Sequence, residues 1–201
     1  MTSATRRPAG ERTHAAILRE AVSLATVHGL DGLSIGDLAA ALDMSKSGLY
    51  AHFGSKQDLQ LATVEEAGRI FQEEVIEPGL AAAPAGVPQL LALCEAFFAH
   101  LERRTFPGGC FFDAAAGDLA LERGIVRDKV ASFQEEWVAR LRRNLEAAVA
   151  KGELPPDADL VQILYDITSY LVLAHSRLVF DGNDSGLPLA ARAVRIRLGR
   201  A

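Results

Sequence analysis

At 201 residues, 49% hydrophobic and 23% charged, the chain is long enough for a real core, in one domain or two small ones. No apolar run reaches membrane-spanning length and no charged-then-apolar leader opens the sequence, so a cytoplasmic protein without membrane contact is expected. The net charge of −5 weighs against a nucleic-acid partner until it is mapped: residues 1–60 carry six basic groups (Arg6, Arg7, Arg12, Arg19, Lys46, Lys56) against six acidic ones (Glu11, Glu20, Asp31, Asp37, Asp43, Asp58), so the deficit lies entirely beyond residue 60.

Residues 1–9 read as a solvated arm, in which Arg6-Arg7 could reach DNA. A first helix is expected over 10–29, stopped by Gly29. Ser34-x-x-Asp37 is a capping-box pattern, and Ile35, Leu38, Ala39 and Leu42 follow at helical spacing. Asp43-Met44-Ser45 makes a tight turn, with Ser45 suited to cap the next helix. On that helix Leu49 and Phe53 face inward, and Lys46, Ser47, Tyr50 and His52 are left facing out. Gly54 is expected to end it in the left-handed conformation, and Ser55-x-x-Asp58 caps a third helix with Lys56 in its first turn. Two short helices joined by a tight turn, the second polar, basic and aromatic outside, are a helix-turn-helix.

Further along, a long helix is expected from 56 to 77, ending before Pro78, with 78–86 as a loop. Helices over about 87–104, 110–121, 123–151, 157–181 and 188–199 follow, separated by Phe106-Pro107-Gly108-Gly109, Gly152 with Pro155-Pro156, and the turn 182–186. With no strand pattern, the fold class is all-α: an N-terminal three-helix helix-turn-helix domain over 1–60 and a helical domain over 61–201.

The helix over 157–181 carries two apolar stripes. Leu160, Leu164, Ile167, Leu171, Ala174 and Leu178 form one, and Val161, Tyr165, Thr168, Val172, His175 and Val179 the other. Two stripes call for a second partner, either more of the same chain or a second copy.

Residues 10–62 resemble the DNA-binding head of the TetR family of transcriptional regulators. Leu49-Tyr50-Ala51-His52-Phe53, Gly54-Ser55-Lys56 and Leu59 carry the resemblance, with Ile17, Ala21, Leu24, Ala25, Gly29, Leu33, Ser34, Ile35, Leu38 and Ala39 upstream. Gly48 departs from it, since the family more often has Thr, Ser or Ala there. The resemblance implies a homodimeric, ligand-responsive regulator, a repressor, whose partners are a palindromic double-stranded DNA operator and a small-molecule effector. It tips the two-stripe helix toward a dimer interface.

Ser34, Ser45, Lys46, Ser47, Gly48, Tyr50, His52 and Lys56 are the expected DNA-binding residues. Lys46 sits where a side chain reaches either guanine O6 and N7 or a phosphate. Tyr50 and His52 resemble the family's phosphate-contacting pair, and Lys56 adds charge to free N–H groups at a helix start.

The back half is rich in aromatics, among them Phe98, Phe106, Phe112, Phe133 and Tyr165, with Asp113 and His100 nearby. Phe97, Cys110, Phe111, Trp137, Tyr170 and His175 are the expected lining of an apolar effector pocket. Trp137 lies on an inward stripe with Val126, Val130, Phe133 and Leu141. Cys110, at a helix start where a thiol pKa can fall, is either structural or a reactive sensor, and the latter gives the rival reading of a thiol-reactive or small-molecule-binding protein or enzyme. The cysteines, Cys94 and Cys110, and the five histidines have no metal-ligand spacing, and no Ser/His/Asp or Cys/His order stands out, so no metal, cofactor or catalytic residue is expected.

Overall fold

The computed structural model describes residues 9–120 and 123–200, and among these the chain is helical throughout, without strands. Helix α1 spans Ala9–His28 and stops at Gly29, which takes a positive φ of 78°. The expected contact through Arg6-Arg7 lies outside the described residues.

Helices α2 (Ile35–Ala41) and α3 (Lys46–Tyr50) are each fixed by a serine. Ser34 accepts the Asp37 N–H at 3.0 Å and donates back to the Asp37 carboxylate at 2.6 Å, while Ser45 accepts the Gly48 N–H at 3.1 Å. The turn between them is a Schellman closure: Met44 N–H donates to Ala39 O and Asp43 N–H to Ala40 O. Its left-handed residue is Asp43, at φ 51°, a conformation that aspartate tolerates better than most side chains. Gly54 does not adopt a positive φ, contrary to expectation; α3 unwinds through a turn at Ala51–His52 before reaching it. Leu49 and Phe53 are buried as the four-residue spacing requires, and truncating a leucine as enclosed as Leu49 costs roughly 2–5 kcal/mol.

Helix α4 (Lys56–Phe71) begins with the Ser55–Asp58 box, Ser55 accepting the Asp58 N–H at 3.1 Å. It does not end before Pro78. A π segment over Gln72–Ile76, in which Glu77 N–H reaches Gln72 O, leads directly into α5 (Glu77–Ala82). Proline has no N–H, and in an α-helix its ring would press on the carbonyl four residues back. Widening the turn before Pro78 lets the chain continue, so the expected loop shrinks to the residues between Ala82 and α6 (Val87–Glu102). Gly79 permits close α5–α6 contact, since a Cβ there would stand 2.7 Å from a Leu93 methyl.

The remaining helices are α7 (Phe111–Asp118), α8 (Ile125–Ala150), α9 (Leu160–Asp181) and α10 (Gly186–Arg197). One continuous apolar core runs from α1 to α10. Helix α4 packs on both α1 and α8, so the expected boundary at residue 60 falls inside a continuous helix. No described helix is long and apolar enough to cross a membrane.

Candidate nucleic-acid interface and ligand cavity

Lys46, Ser47 and Tyr50 face out from α3 as expected, whereas His52, expected to face out with them, lies beyond the helix end. Lys46, Ser47 and Tyr50 are exposed, Tyr50 at 57%. Gly48 and His52 are half-buried, and His52 packs beside His14 of α1 at 5.9 Å between ring centroids. Ser34 and Ser45 are the helix caps described above, and Ser47 Oγ lies 3.2 Å from Ser45 Oγ. Lys46 reaches back over α2: a Cβ on Gly36 would stand 3.3 Å from its Nζ. Lys56 is exposed, but its ammonium donates to the Asp31 carbonyl and lies 3.2 Å from the Asp31 carboxylate. Its charge is therefore shared with the turn after α1, a local contact that the spacing of Lys56 does not reveal.

Behind this head lies a cavity of about 290 Å³. Phe71 of α4, Phe97 of α6, Cys110, Phe112 and Asp113 at the start of α7, Phe133, Gln134, Trp137 and Val138 of α8, and Thr168, Leu171 and Val172 of α9 line it. Its rings form one array, with Phe71 edge-on to Trp137 at 5.3 Å and to Phe112 at 5.9 Å, and Phe133 at 5.1 Å from Phe112. Phe133 can cross α4 because residue 68 is glycine; a Cβ there would lie 2.3 Å from its ring.

Of the residues expected to line the cavity, Phe97, Cys110 and Trp137 do so. Phe111 is buried edge-on against Phe112 and does not line the cavity. Tyr170 lies on another face of α9, in a groove shared with Leu189 and Ala190 of α10. His175 is buried just outside the cavity; its Nε2 donates to the Gly108 carbonyl at 3.1 Å and its Nδ1 stands 3.7 Å from Asp113 Oδ2. The expected outward stripe of α9 therefore loses His175 to the interior, while Val161, Tyr165, Val172 and Val179 stay exposed.

Phe71 and Gln134 line the cavity without having been named from the sequence, while Phe112, Phe133 and Asp113, named among the aromatic and polar groups of the back half, were not assigned to the lining. Phe133 carried a usable signal, four residues before Trp137 on the same stripe. Phe71 carried none, since α4 reads as an ordinary amphipathic helix.

The titratable groups of the cavity are shifted toward neutrality. Burial raises the Asp113 carboxyl above its ordinary value, with the nearby His175 opposing. Burial, reinforced by Asp113, pushes the Cys110 thiol well up, and burial pushes Cys94 up to about 12. Of the two readings of Cys110, the reactive one thus loses its support: with 2% exposure and a carboxyl neighbour, desolvation outweighs the helix start. Among the described residues no cluster of three His, Cys, Asp or Glu side chains could hold a metal ion.

The chain matches two family profiles: "Bacterial regulatory proteins, tetR family" over residues 17–63 and "Tetracyclin repressor-like, C-terminal domain" over residues 86–194. No curated protein matches significantly. Among solved structures, a TetR transcriptional regulator from Chloroflexus aurantiacus J-10-FL is 27% identical, with 93% of this chain and 95% of that one covered at a TM-score of 0.83. A TetR-family regulator from Cytophaga hutchinsonii shares the fold at 18% identity, with 97% of each chain covered and a TM-score of 0.81. AibR, solved in complex with isovaleryl coenzyme A and operator DNA, shares it at 22% identity, with 91% and 96% covered and a TM-score of 0.73. A helix-turn-helix head, an all-helical body matched over more than half of the chain and these relatives place the protein together: it belongs to the TetR family of transcriptional regulators.

Proposed function

We propose that this TetR-family regulator is a homodimeric repressor of a palindromic operator, released when a small molecule occupies the aromatic cavity. Residues 1–60 form the DNA-binding head, and residues 61–201 bind the effector and the second subunit. Two α3 helices enter successive major grooves, about 34 Å apart. Lys46 and Ser47 meet base edges, while Tyr50, His52 and Lys56 meet phosphates.

One observation carries the reading. Helix α7 brings Phe112 and Asp113 to the cavity at its start and, at its end, Asp118 holds the head, accepting the Asp31 N–H at 3.2 Å. A molecule that displaces the first turn of α7 therefore acts on the segment that positions the head. AibR, with isovaleryl coenzyme A and operator DNA in one complex, supports the same pairing of partners. The second subunit is supported by apolar exposure on α9 and α10, where Val161 is 81% and Phe180 88% exposed beside Tyr165, Leu173, Leu189 and Ile196.

The effector must bind the released state better than the DNA-bound one, and a tenfold loss of operator affinity needs about 1.4 kcal/mol of coupling. The test is fluorescence anisotropy with promoter fragments from the neighbouring genes, beside sedimentation of the free protein. Saturable, salt-sensitive binding by a dimer is expected. A monomer at micromolar concentration that ignores every fragment overturns the reading.

A further inference from the structure

The cavity wall has one carboxyl, Asp113, and the basic side chain nearest it, His175, lies outside the lining. Among its lining residues Asp113 is the only ionisable carboxyl, and none is Lys, Arg or His. Asp113 Oδ2 is shut off from solvent and has no hydrogen-bond partner. His175 Nδ1 is 3.7 Å away, beyond hydrogen-bond reach, and its other nitrogen is committed to the Gly108 carbonyl. Thr168 offers no hydrogen, since its hydroxyl already donates to backbone carbonyls of its own helix. Gln134 holds the Phe112 carbonyl through its amide nitrogen, which leaves its side-chain oxygen free to accept.

Much of the remaining wall is aromatic, completed by Cys110, Val138, Leu171 and Val172. Phe71, Phe97, Phe112, Phe133 and Trp137 surround the space, and the faces of such rings attract cations. Phe133 already receives one, with the Lys129 ammonium 5.5 Å from its centroid. At about 290 Å³ the cavity has roughly twice the volume of an engineered one of ~150 Å³ that takes a single benzene.

We propose that the cavity binds a compact organic cation, an alkyl- or arylammonium ion about two rings in size, with its charge against Asp113 and its apolar part among the five rings. Such a ligand brings a counter-charge to the one carboxyl in the cavity wall, a residue whose Oδ2 is itself enclosed 3.7 Å from His175 Nδ1. The assignment rests on the reading of this cavity as the effector site, and burial alone keeps the empty site's carboxyl protonated more readily than usual.

Three probes of similar shape test it by titration of Trp137 fluorescence and by thermal shift of the full-length protein: benzyltrimethylammonium, its uncharged isostere neopentylbenzene, and the phenylacetate anion. The cation is expected to bind at least tenfold more tightly than either of the others. Asp113→Asn keeps the shape and removes the charge, and should weaken the cation at least tenfold while leaving neopentylbenzene unchanged. Tighter binding of the isostere or the anion, or an Asn variant that holds the cation as well as the wild type, overturns the cation assignment and leaves the cavity an effector site for another class. Silence from all three probes overturns the cation assignment and the effector reading of this cavity together. If the variant does not fold, the wild-type ranking of the three probes decides.

Discussion

The Asp118 carboxylate accepts the backbone N–H of Asp31 at 3.2 Å, tying the last turn of α7 to the turn that follows α1. The same carboxylate fills the space beside Gly29, where a Cβ would come within 2.7 Å of it. Asp31 in turn receives the Lys56 ammonium. A second tie runs nearby, from Thr26 of α1, whose hydroxyl accepts the Gly108 N–H at 3.1 Å. Polar contacts at both ends of α7 therefore tie the body to the head, beside the apolar core that runs through both.

Asp118→Ala should remove the first tie. The lost hydrogen bond is worth about 1 kcal/mol, and Tm should fall by roughly 2–4 °C. Hydrogen exchange at the Asp31 amide should quicken, and an effector should lose part of its leverage on operator affinity. An unchanged exchange rate at Asp31 would show that the contact does not hold the turn.

The two head lysines should behave differently. Lys46→Ala should relax preference at one base pair, costing about 1–3 kcal/mol there if the contact is to guanine. Lys56→Ala should weaken all sequences alike and lower the salt slope by about one unit. Because Lys56 also holds Asp31, its variant should shift Tm as well, and the Lys46 variant should not. Binding curves on a set of singly altered operators at several salt concentrations separate the two.

The dimer face is best probed away from the cavity. Val172 belongs to both the exposed stripe and the cavity wall, so a charge there confounds two effects. Phe180→Glu alters only the exposed face. It should raise the dimer dissociation constant about a hundredfold, ~2.7 kcal/mol, and reduce operator affinity with it. Sedimentation of the variant as an undiminished dimer would move the interface elsewhere.

Asp113 should make stability depend on pH in the direction opposite to an ordinary ion-paired carboxylate. Its pKa is raised by folding, so the folded protein keeps a proton that the unfolded chain releases first. Stability from this group is present below about pH 3.9, the usual aspartate value, and is lost as pH rises toward the folded value. Asn does not titrate, so Asp113→Asn should raise Tm at neutral pH by about 2 °C or more, an advantage that shrinks under acid. A variant less stable than wild type at neutral pH would place a stabilising ion pair at Asp113 and His175 instead.

The acid limb should show a second group. His100 donates its Nδ1–H to Glu74 at 2.8 Å, and Thr105 and Arg103 bond the same carboxylate. Burial holds His100 below its ordinary value, and although burial acts against it, these hydrogen bonds hold Glu74 below its own. Stability should therefore decline as pH falls below about 6.5, where the unfolded histidine takes up a proton, and again below about 4.5. His100→Gln should remove the upper step in a series of melting curves.

The sequence by itself determined the helices and the head. Ser34, Ser45 and Ser55 each stand three residues before a backbone N–H that needs an acceptor, and that rule is local, so the caps could be read without a fold. The same holds for the burial of Leu49 and Phe53, four apart, and for the inward stripe of α9 from Leu164 to Leu178. Some local signals were overridden: Pro78 looked like a stop, but a π turn absorbed it, and Gly54 looked like a left-handed helix end, but α3 unwound before reaching it. Only the tertiary structure decided the cavity and its link to the head. Phe71, Phe112 and Phe133 come from three helices and converge because Gly68 lets α8 approach α4, and His175 turns inward because the Gly108 carbonyl is there to meet it. Asp118 and Asp31, 87 residues apart, share a hydrogen bond that no periodicity encodes. Periodicity fixes which face of a helix is apolar, but which neighbour covers that face, and which polar groups it leaves unpaired, depends on the packing of every other helix.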